Sequence, residues 1–409
     1  MAIAQGFGKT THNNLIFGYD TGDMDNSFKG APKTNLLSQY SRTYGNQSSS
    51  LFKTQYYSRD VFVPTLGIRT VETLETYNDY GGGSGVCCQG AWYLGGSGVS
   101  GSTQYTYSII YRSSSGYTHP NFMYRYEYGA SGYITEGGLH NNGNRTHLGD
   151  GWYHAWGNMT TQPGTTSMSF YFYMYEYATY NTIDIAGVMF TQGPEILRPR
   201  QFIPFSTTRS VTQGLLDLTG NGTINLANVS YTGTGELIFD GSDDYLDLGS
   251  DITISPANQG WTAEYVFNTD SASTLQHFNS AEADDFNANW LAILSSKMAV
   301  WNVSPGYWKY GSTVFQNNTW YHIAFVCDAG GTNMRFYVNG VAEGGDHVGN
   351  SWTSAYSALK TRYIGRYEYA GSYSRHFDGK IAIARLYNRV LTQAELTQNY
   401  SHYKTRFNL

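Results

Sequence analysis

Charge is sparse in this 409-residue chain: Asp, Glu, Lys and Arg together make up 14% of it, and the net charge is −6. Its 25 basic residues are scattered, which leaves no basic stripe of the kind nucleic-acid binding requires. Cysteine is rarer still. Cys87 and Cys88 are adjacent and would bridge each other only with strain, while Cys327 stands in the alternating run HIAFVCD. That spacing excludes a disulfide framework and offers no zinc pattern, so Cys327 reads as a buried structural thiol. No stretch approaches the ~18 apolar residues of a membrane-spanning helix. The opening MAIAQGFGKTTHNN has no charged segment leading into an apolar run, so a secretory leader is not expected. The expectation is a protein made in a cytoplasm, with no membrane insertion and no nucleic-acid partner.

What the chain has instead is 16% aromatic residues, 37 Tyr and 47 Gly. That combination opposes disorder and favours short strands joined by tight turns. Residues 102–112, 121–128, 152–159 and 168–177 alternate with period two, punctuated by GGGSG (81–85), GGSG (95–98) and NNGN (141–144). A second block follows. GELIFDGSDDYLDLG (235–249) sets two strands around a turn at Asp240–Asp244, and WTAEYVFNT puts Trp261, Ala263, Tyr265 and Phe267 on one face. MRFYVNGVAEG holds the hairpin signal Asn339–Gly340. Between the blocks, RPRQFIPFSTTRS (198–210) has the composition of a linker or crossover. One helix is predicted, in LTQAELTQNYSHYKTRF. Thr392 and Glu395 stand there at capping-box spacing, and Ala394, Leu396 and Tyr400 can share a face.

The series IFDGSDDYLDLG, NTWYHIAFVCD, MRFYVNG and FDGKIAIARLYNRVLTQAEL resembles the laminin-G or concanavalin A-like domain, a two-sheet jelly roll. LIFGYD (15–20) and SFKG (27–30) look like the opening of such domains in phage and bacterial surface proteins. The continuation, DLTGNG, comes only at 217–222. The resemblance therefore implies a discontinuous domain, 1–34 plus 206–409, with residues 35–205 inserted into its first loop. Two consecutive sandwiches with an ordered N-terminal arm are the alternative. The inserted block, from TNLL to IDIAGVMFTQGPEILRPRQFIPF, resembles the carbohydrate-binding-module-like jelly rolls of phage tail and fibre proteins. The expected fold is all-β, with two jelly-roll β-sandwiches and one short C-terminal helix.

Aromatic rows are the first functional candidates. In SFYFYMYEY (169–177), Tyr171, Tyr173, Tyr175 and Tyr177 alternate with Phe170, Phe172 and Met174. Tyr124 and Tyr126 begin a second row, Tyr105, Tyr107 and Tyr111 a third, and Trp152 and Trp156 share a strand face with His154. Such rings suit sugar faces and large protein contacts alike. The readings are a subunit or virion interface, a glycan platform, or a core whose hydroxyls reach its rim. Two acidic clusters, Asp20 with Asp23 and Asp25, and Asp240 with Asp243, Asp244 and Asp247, carry the hard oxygens that calcium takes. Asp residues also serve as turns that bond their own backbone. No other cofactor is expected.

No Glu-x-Asp-x-Glu strand of the glycanase type is present, and Glu127, Glu176 and Glu264 stand alone, so a non-enzyme is expected. His322 in WYHIAF reads as structural. The resemblance and the composition together imply a virion structural protein of a tailed phage, a decoration, head-fibre or tail-fibre protein. It would lie at the virion surface against copies of itself or other virion proteins, binding glycans weakly and multivalently. A bacterial extracellular fibre-forming adhesin is the alternative, and a glycan depolymerase the third reading.

Overall fold

The computed structural model describes residues 10–37, 52–64, 66–78, 86–94, 98–113, 122–129, 144–175, 180–203, 207–232, 237–257, 259–281, 288–302, 307–331, 333–343, 358–369 and 372–409. The chain divides into two compact units: Met1–Ala31, Val211–Thr232 and Glu236–Leu409 make one, Pro32–Ser210 with Gly233–Gly235 the other. Regular structure among the described residues is almost all strand, as the alternating sequence requires.

In the first unit, strand Trp261–Thr269 lies between Asp378–Tyr387 and Trp320–Cys327 in an eight-stranded antiparallel sheet. A second eight-stranded sheet sets Ala288–Leu294, Lys297–Asn302 and Tyr307–Tyr310 side by side. Alternation sends Trp261, Ala263, Tyr265 and Phe267 into the core, together with Leu291, Ile293, Met298 and Val300 from the second sheet. Phe267 is ringed there by Phe278, Phe315, Tyr321 and Phe377, with centroids 5.0 to 6.1 Å away. Cys327 shares this core, and burial followed by the charge of Asp328 pushes its thiol up to about 12. It is therefore a packing group without nucleophilic character.

The N-terminal strand Leu15–Asp20 pairs with Asp378–Tyr387 in the first sheet. Gly18 N donates to Asp217 Oδ1 at 3.0 Å across 199 positions of sequence, and Leu218 N donates to Gly18 O at 2.8 Å. LIFGYD and DLTGNG thus lie together in one unit. The turn at Asp240–Asp244 is no hairpin, because Leu237–Asp240 pairs in the first sheet and Tyr245–Ile254 in the second. It carries the chain from one layer to the other.

The helix Gln393–Phe407 opens with the predicted capping box of Thr392 and Glu395. Its buried residues are Leu396, Asn399, Tyr403 and Phe407, whereas Ala394 is exposed, which corrects the face expected from the apolar positions. The cause is a polar patch on the sheet beneath. Asn399 Nδ2 donates to both oxygens of Glu264, at 3.1 and 2.9 Å, and His322 Nε2 lies 3.0 Å from Glu264 Oε1. Burial would raise the Glu264 carboxyl, but the hydrogen bond and charge of His322, the charge of Arg385 and the Asn399 amide hold it below its ordinary value. His322, fully buried, is a structural histidine.

The second unit holds a six-stranded sheet in the order Phe52–Val63, Gly67–Asn78, Tyr180–Gln192, Gln104–Ser113, Trp152–Thr160, Asn144–Gly149. A three-stranded sheet has Ser167–Tyr175 between Val86–Leu94 and Phe122–Tyr128. Tyr105, Tyr107 and Tyr111 are 1%, 2% and 0% exposed and pack with Val188, Phe190 and Met168, so this third tyrosine row is core and no contact surface. Burial raises the phenols of Tyr107 and Tyr111, and the Tyr105 hydroxyl is satisfied by Ser100 N at 2.8 Å. Residues 198–203 are no free linker either. Pro199–Gln201 forms a short 3-10 turn, and Ile203 packs with Met189 and Leu197.

Candidate functional site

In ANWLAIL (288–294), Leu291 and Ile293 enter the core, which leaves Trp290 and Ala292 to the outer face of the second sheet. The chain reverses through Ser295 and Ser296, both in the left-handed region at φ 52° and 61°, a two-residue turn usually made by Asn-Gly. The returning strand KMAVWN buries Met298 and Val300 and turns Ala299 and Trp301 outward. YWKY follows at the sheet edge. The ladder sets Trp290 opposite Trp301, and Trp301 opposite Trp308. Their ring centroids are 6.0 and 5.4 Å apart, and the first pair is nearly parallel, at 9°.

The neighbouring register row reads His277, Ala292, Ala299, Tyr310. Strands lie ~4.8 Å apart, so residues three strands distant are separated by ~14 Å at the backbone. Yet the rings of His277 and Trp308 are 6.1 Å apart. The two alanines between them leave the room in which the larger side chains converge. Tyr367 completes the cluster, 4.7 Å from His277 and 5.0 Å from Trp290. Trp290 and Tyr367 are 8% exposed, while Trp301 and Trp308 are partly open to solvent.

His277 is fully buried at the bottom of this cluster, and neither ring nitrogen has a hydrogen-bond partner among the described residues. Burial, with the positive charge of Arg375, lowers its pKa to about 3. The ring is therefore neutral near pH 7 and offers one donor and one acceptor. The exposed Arg375 guanidinium lies 4.6 Å over the Tyr367 ring. Arg366, on the same segment as Tyr367, stacks on Tyr245 at 3.5 Å and Tyr363 at 3.8 Å and pairs with Glu368 at 3.6 Å. Flat aromatic area beside a few placed polar groups is the chemistry of small-ligand recognition, and of sugars in particular.

The residues singled out from sequence lie elsewhere. The backbone register sets Tyr171 opposite Tyr124, Ser169 opposite Tyr126, Tyr173 opposite Phe122 and Tyr175 opposite Val86; Tyr177 lies outside the described residues. Trp152 is 0% exposed, packed with Val63, Val71 and Ile110 under the Arg112 guanidinium at 4.8 Å, so it is no platform. Trp156 is partly exposed and stacks on His154 at 4.7 Å. His154 itself is buried 2.6 Å from Ser108 Oγ, with its pKa lowered by burial to about 4.

Among the described residues, Asp240, Asp243 and Asp244 bring ligand atoms within 4.8 Å of one another. Three carboxylates fit a hard cation, though they supply fewer than the six to eight oxygens calcium takes. Much of their capacity is engaged by the turn: Asp240 N donates to Asp244 Oδ2 at 2.8 Å, Ser242 N to Asp240 Oδ1 at 2.8 Å, and Asn228 Nδ2 to Asp243 Oδ2 at 3.0 Å. Burial, then the charges of Asp240 and Asp243, raise Asp244 to about 6. Asp20 and Asp23 form no such group among the described residues. Asp20 is ion-paired with Arg406, and Asp23 Oδ1 accepts from the amides of Asp25 and Asn26 at 3.1 and 3.0 Å.

Sequence reasoning missed Trp290, Trp301, Trp308, Tyr367, His277 and Arg375. Trp290 and Trp301 do stand in the phase opposite their strands' core residues, which was the available signal. Their alignment exists only through the ladder, and the Ser295–Ser296 turn that sets the first register carries no hairpin signature.

Residues 240–397 match the Laminin_G_3 family, the concanavalin A-like lectin/glucanases superfamily. No curated protein matches the chain. Among solved structures, the Ruminococcus gnavus IT-sialidase CBM40 bound to α2,3-sialyllactose is 15% identical with a TM-score of 0.29, covering 37% of this chain and 96% of that one. Domain 4 of AbnA, an extracellular GH43 arabinanase from Geobacillus stearothermophilus, in complex with arabinotriose, is 21% identical with a TM-score of 0.32, covering 46% and 91%. The SAP-like pentraxin of Limulus polyphemus is 16% identical with a TM-score of 0.30, covering 42% and 80%. Scores this low carry nothing about ligand or activity. The family match and the two packed sheets show that this all-β chain carries a concanavalin A-like jelly-roll domain.

Proposed function

We propose that this chain binds glycans without catalysis, through the surface built on Trp290, Trp301 and Trp308, as a structural protein on the surface of a tailed-phage virion. The aligned tryptophan row above a buried, neutral imidazole carries the glycan reading. A sugar ring has an apolar C–H face and a rim of hydroxyls. The tryptophans suit the face, and the exposed Arg375 suits the rim. The match to a lectin and glucanase superfamily supports the same ligand class.

Cleavage of a glycosidic bond needs two carboxylates facing each other across the bond, about 5–10 Å apart. Glu368 is engaged by Arg366, and Glu264 by His322 and Asn399, which supports binding without turnover. The virion setting rests on the likeness of residues 15–30 and 217–222 to phage and bacterial surface domains, on that of residues 35–205 to phage tail and fibre jelly rolls, and on the Tyr- and Gly-rich, charge-poor composition. Copies repeated on a particle would raise avidity by orders of magnitude without a strong single site.

Trp301→Ala should abolish retention on a multivalent glycan array while the protein still melts in one cooperative transition. Retention equal to that of the parent protein would refute this surface as the site. Mass spectrometry of purified particles should find the chain at high copy number, and its absence there sinks the virion assignment. Host polysaccharide incubated with the protein should release no reducing ends.

A further inference from the structure

The rim of the tryptophan surface differs from its floor in one respect: it carries an open cation. Arg375 is exposed and has no carboxylate paired with it among the described residues. Other arginines of this unit do have one: Arg366 holds Glu368 at 3.6 Å, Arg362 holds Asp247 at 3.2 Å, and Arg389 holds Glu395 at 2.6 Å. Resting on the glycan-binding reading above, we propose that the ligand is an acidic sugar, whose ring lies on the tryptophan row and whose carboxylate pairs with the Arg375 guanidinium.

Three observations fix this geometry. The guanidinium lies over Tyr367, which itself abuts both Trp290 and His277, so the cation stands beside the aromatic surface. Arg375 adopts φ +54°, the left-handed region, and its carbonyl accepts the His277 backbone N–H at 3.1 Å. The residue that presents the cation is thereby tied to the strand that presents the imidazole. A non-glycine held in this region is sustained by its surroundings, a pattern common at ligand sites. Finally, His277 is fully buried beneath the rings and neutral, so it sets no second positive charge beside Arg375. One planar fork of N–H donors matches one carboxylate bidentately.

The test is titration calorimetry on the full chain with four probes: galacturonate oligomers, the same oligomers fully methyl-esterified, 3′-sialyllactose, and lactose. Esterification keeps the ring and removes the charge. The expected result is that at least one acidic probe binds about tenfold or more tightly than its neutral counterpart, and that Arg375→Gln removes this preference. The preference should shrink in about 0.5 M NaCl. Arg375→Lys, which keeps the charge without the fork, should recover part of it, and melting curves of both variants establish that they fold. Preference for galacturonate identifies a hexuronic acid, and preference for sialyllactose a nonulosonic acid; either supports the proposal. Equal affinity for acidic and neutral probes, or an Arg375→Gln variant that keeps the preference, overturns it and leaves the glycan site standing wherever Trp301→Ala still abolishes binding. No binding by any probe or on the wider glycan array overturns both.

Discussion

At the residue scale, two carboxylates show how the same burial leads to opposite outcomes. Glu264 is enclosed with the groups that compensate it, and its carboxyl is held low. A carboxylate with a lowered folded pKa contributes stability above its unfolded value and loses it as the pH falls through the folded one. Glu264→Ala should therefore destabilise the protein by about 3 kcal/mol near neutrality, because His322 and Asn399 are left buried without their acceptor. Its Tm against pH should be flatter than the parent's in the acid range. Asp244 has burial and two like charges against it, and its pKa rises from 3.8 to about 6. The sign reverses here: the folded state binds the proton more tightly, so stability declines as the pH rises from about 4 to about 6. Asp244→Asn keeps an acceptor for Asp240 N and should raise the Tm at pH 7 while changing little at pH 4. A variant no more stable than the parent at pH 7 would contradict this.

At the element scale, the two hairpins of the first unit contrast a legible turn with a silent one. Asn339 and Gly340 announce a two-residue turn, and their φ angles of 50° and 74° deliver it between Val338 and Val341. Ser295 and Ser296 make the same kind of turn with residues that prefer other conformations. Replacing them with Asn and Gly should stabilise the hairpin by about 1 kcal/mol, read as a higher midpoint in urea with an unchanged slope. The helix was legible for a related reason: Thr392 and Glu395 are local signals, three residues apart. Its buried face was not, because Asn399 is inward to serve Glu264, 135 positions away in sequence. The tryptophan row belongs with these non-local features. Local chemistry marks where strands and turns lie, whereas a binding face depends on which strands become neighbours.

At the scale of the whole molecule, the repeated alternation and the scarcity of helix-forming stretches made the all-β architecture readable before any contact was known. The aromatic abundance was misleading at particular places: Trp152, Tyr105, Tyr107 and Tyr111 fill the core of the second unit. Tyrosine alternation marks a strand with two differently packed sides, and it leaves open which side meets solvent. The division into two units also makes a prediction. Replacing residues 32–210 with a short Gly-Ser turn should leave the first unit folded, with a cooperative melt and intact binding to whatever glycan the full chain retains. Loss of the cooperative transition would mean that the first unit depends on the second.

The reason to expect independence is small and local. Lys33 and Thr34 pair with Arg209 and Thr208, the Thr34 and Thr208 hydroxyls lie 2.7 Å apart, and Asn35 N donates to Thr207 O at 3.0 Å. The outgoing and returning passages of the chain are thus zipped together where the second unit begins and ends. During synthesis Gly18 must wait for Asp217 and Leu218, which follow the whole of the second unit in the chain. Closing a flexible loop of about 180 residues would cost roughly 4–5 kcal/mol in chain entropy. Once the second unit has folded and zipped its neck, the nascent chain on either side is held as closely as by a tight turn. Gly18 then meets Asp217 and Leu218, just past the neck, across a short tether in place of that loop.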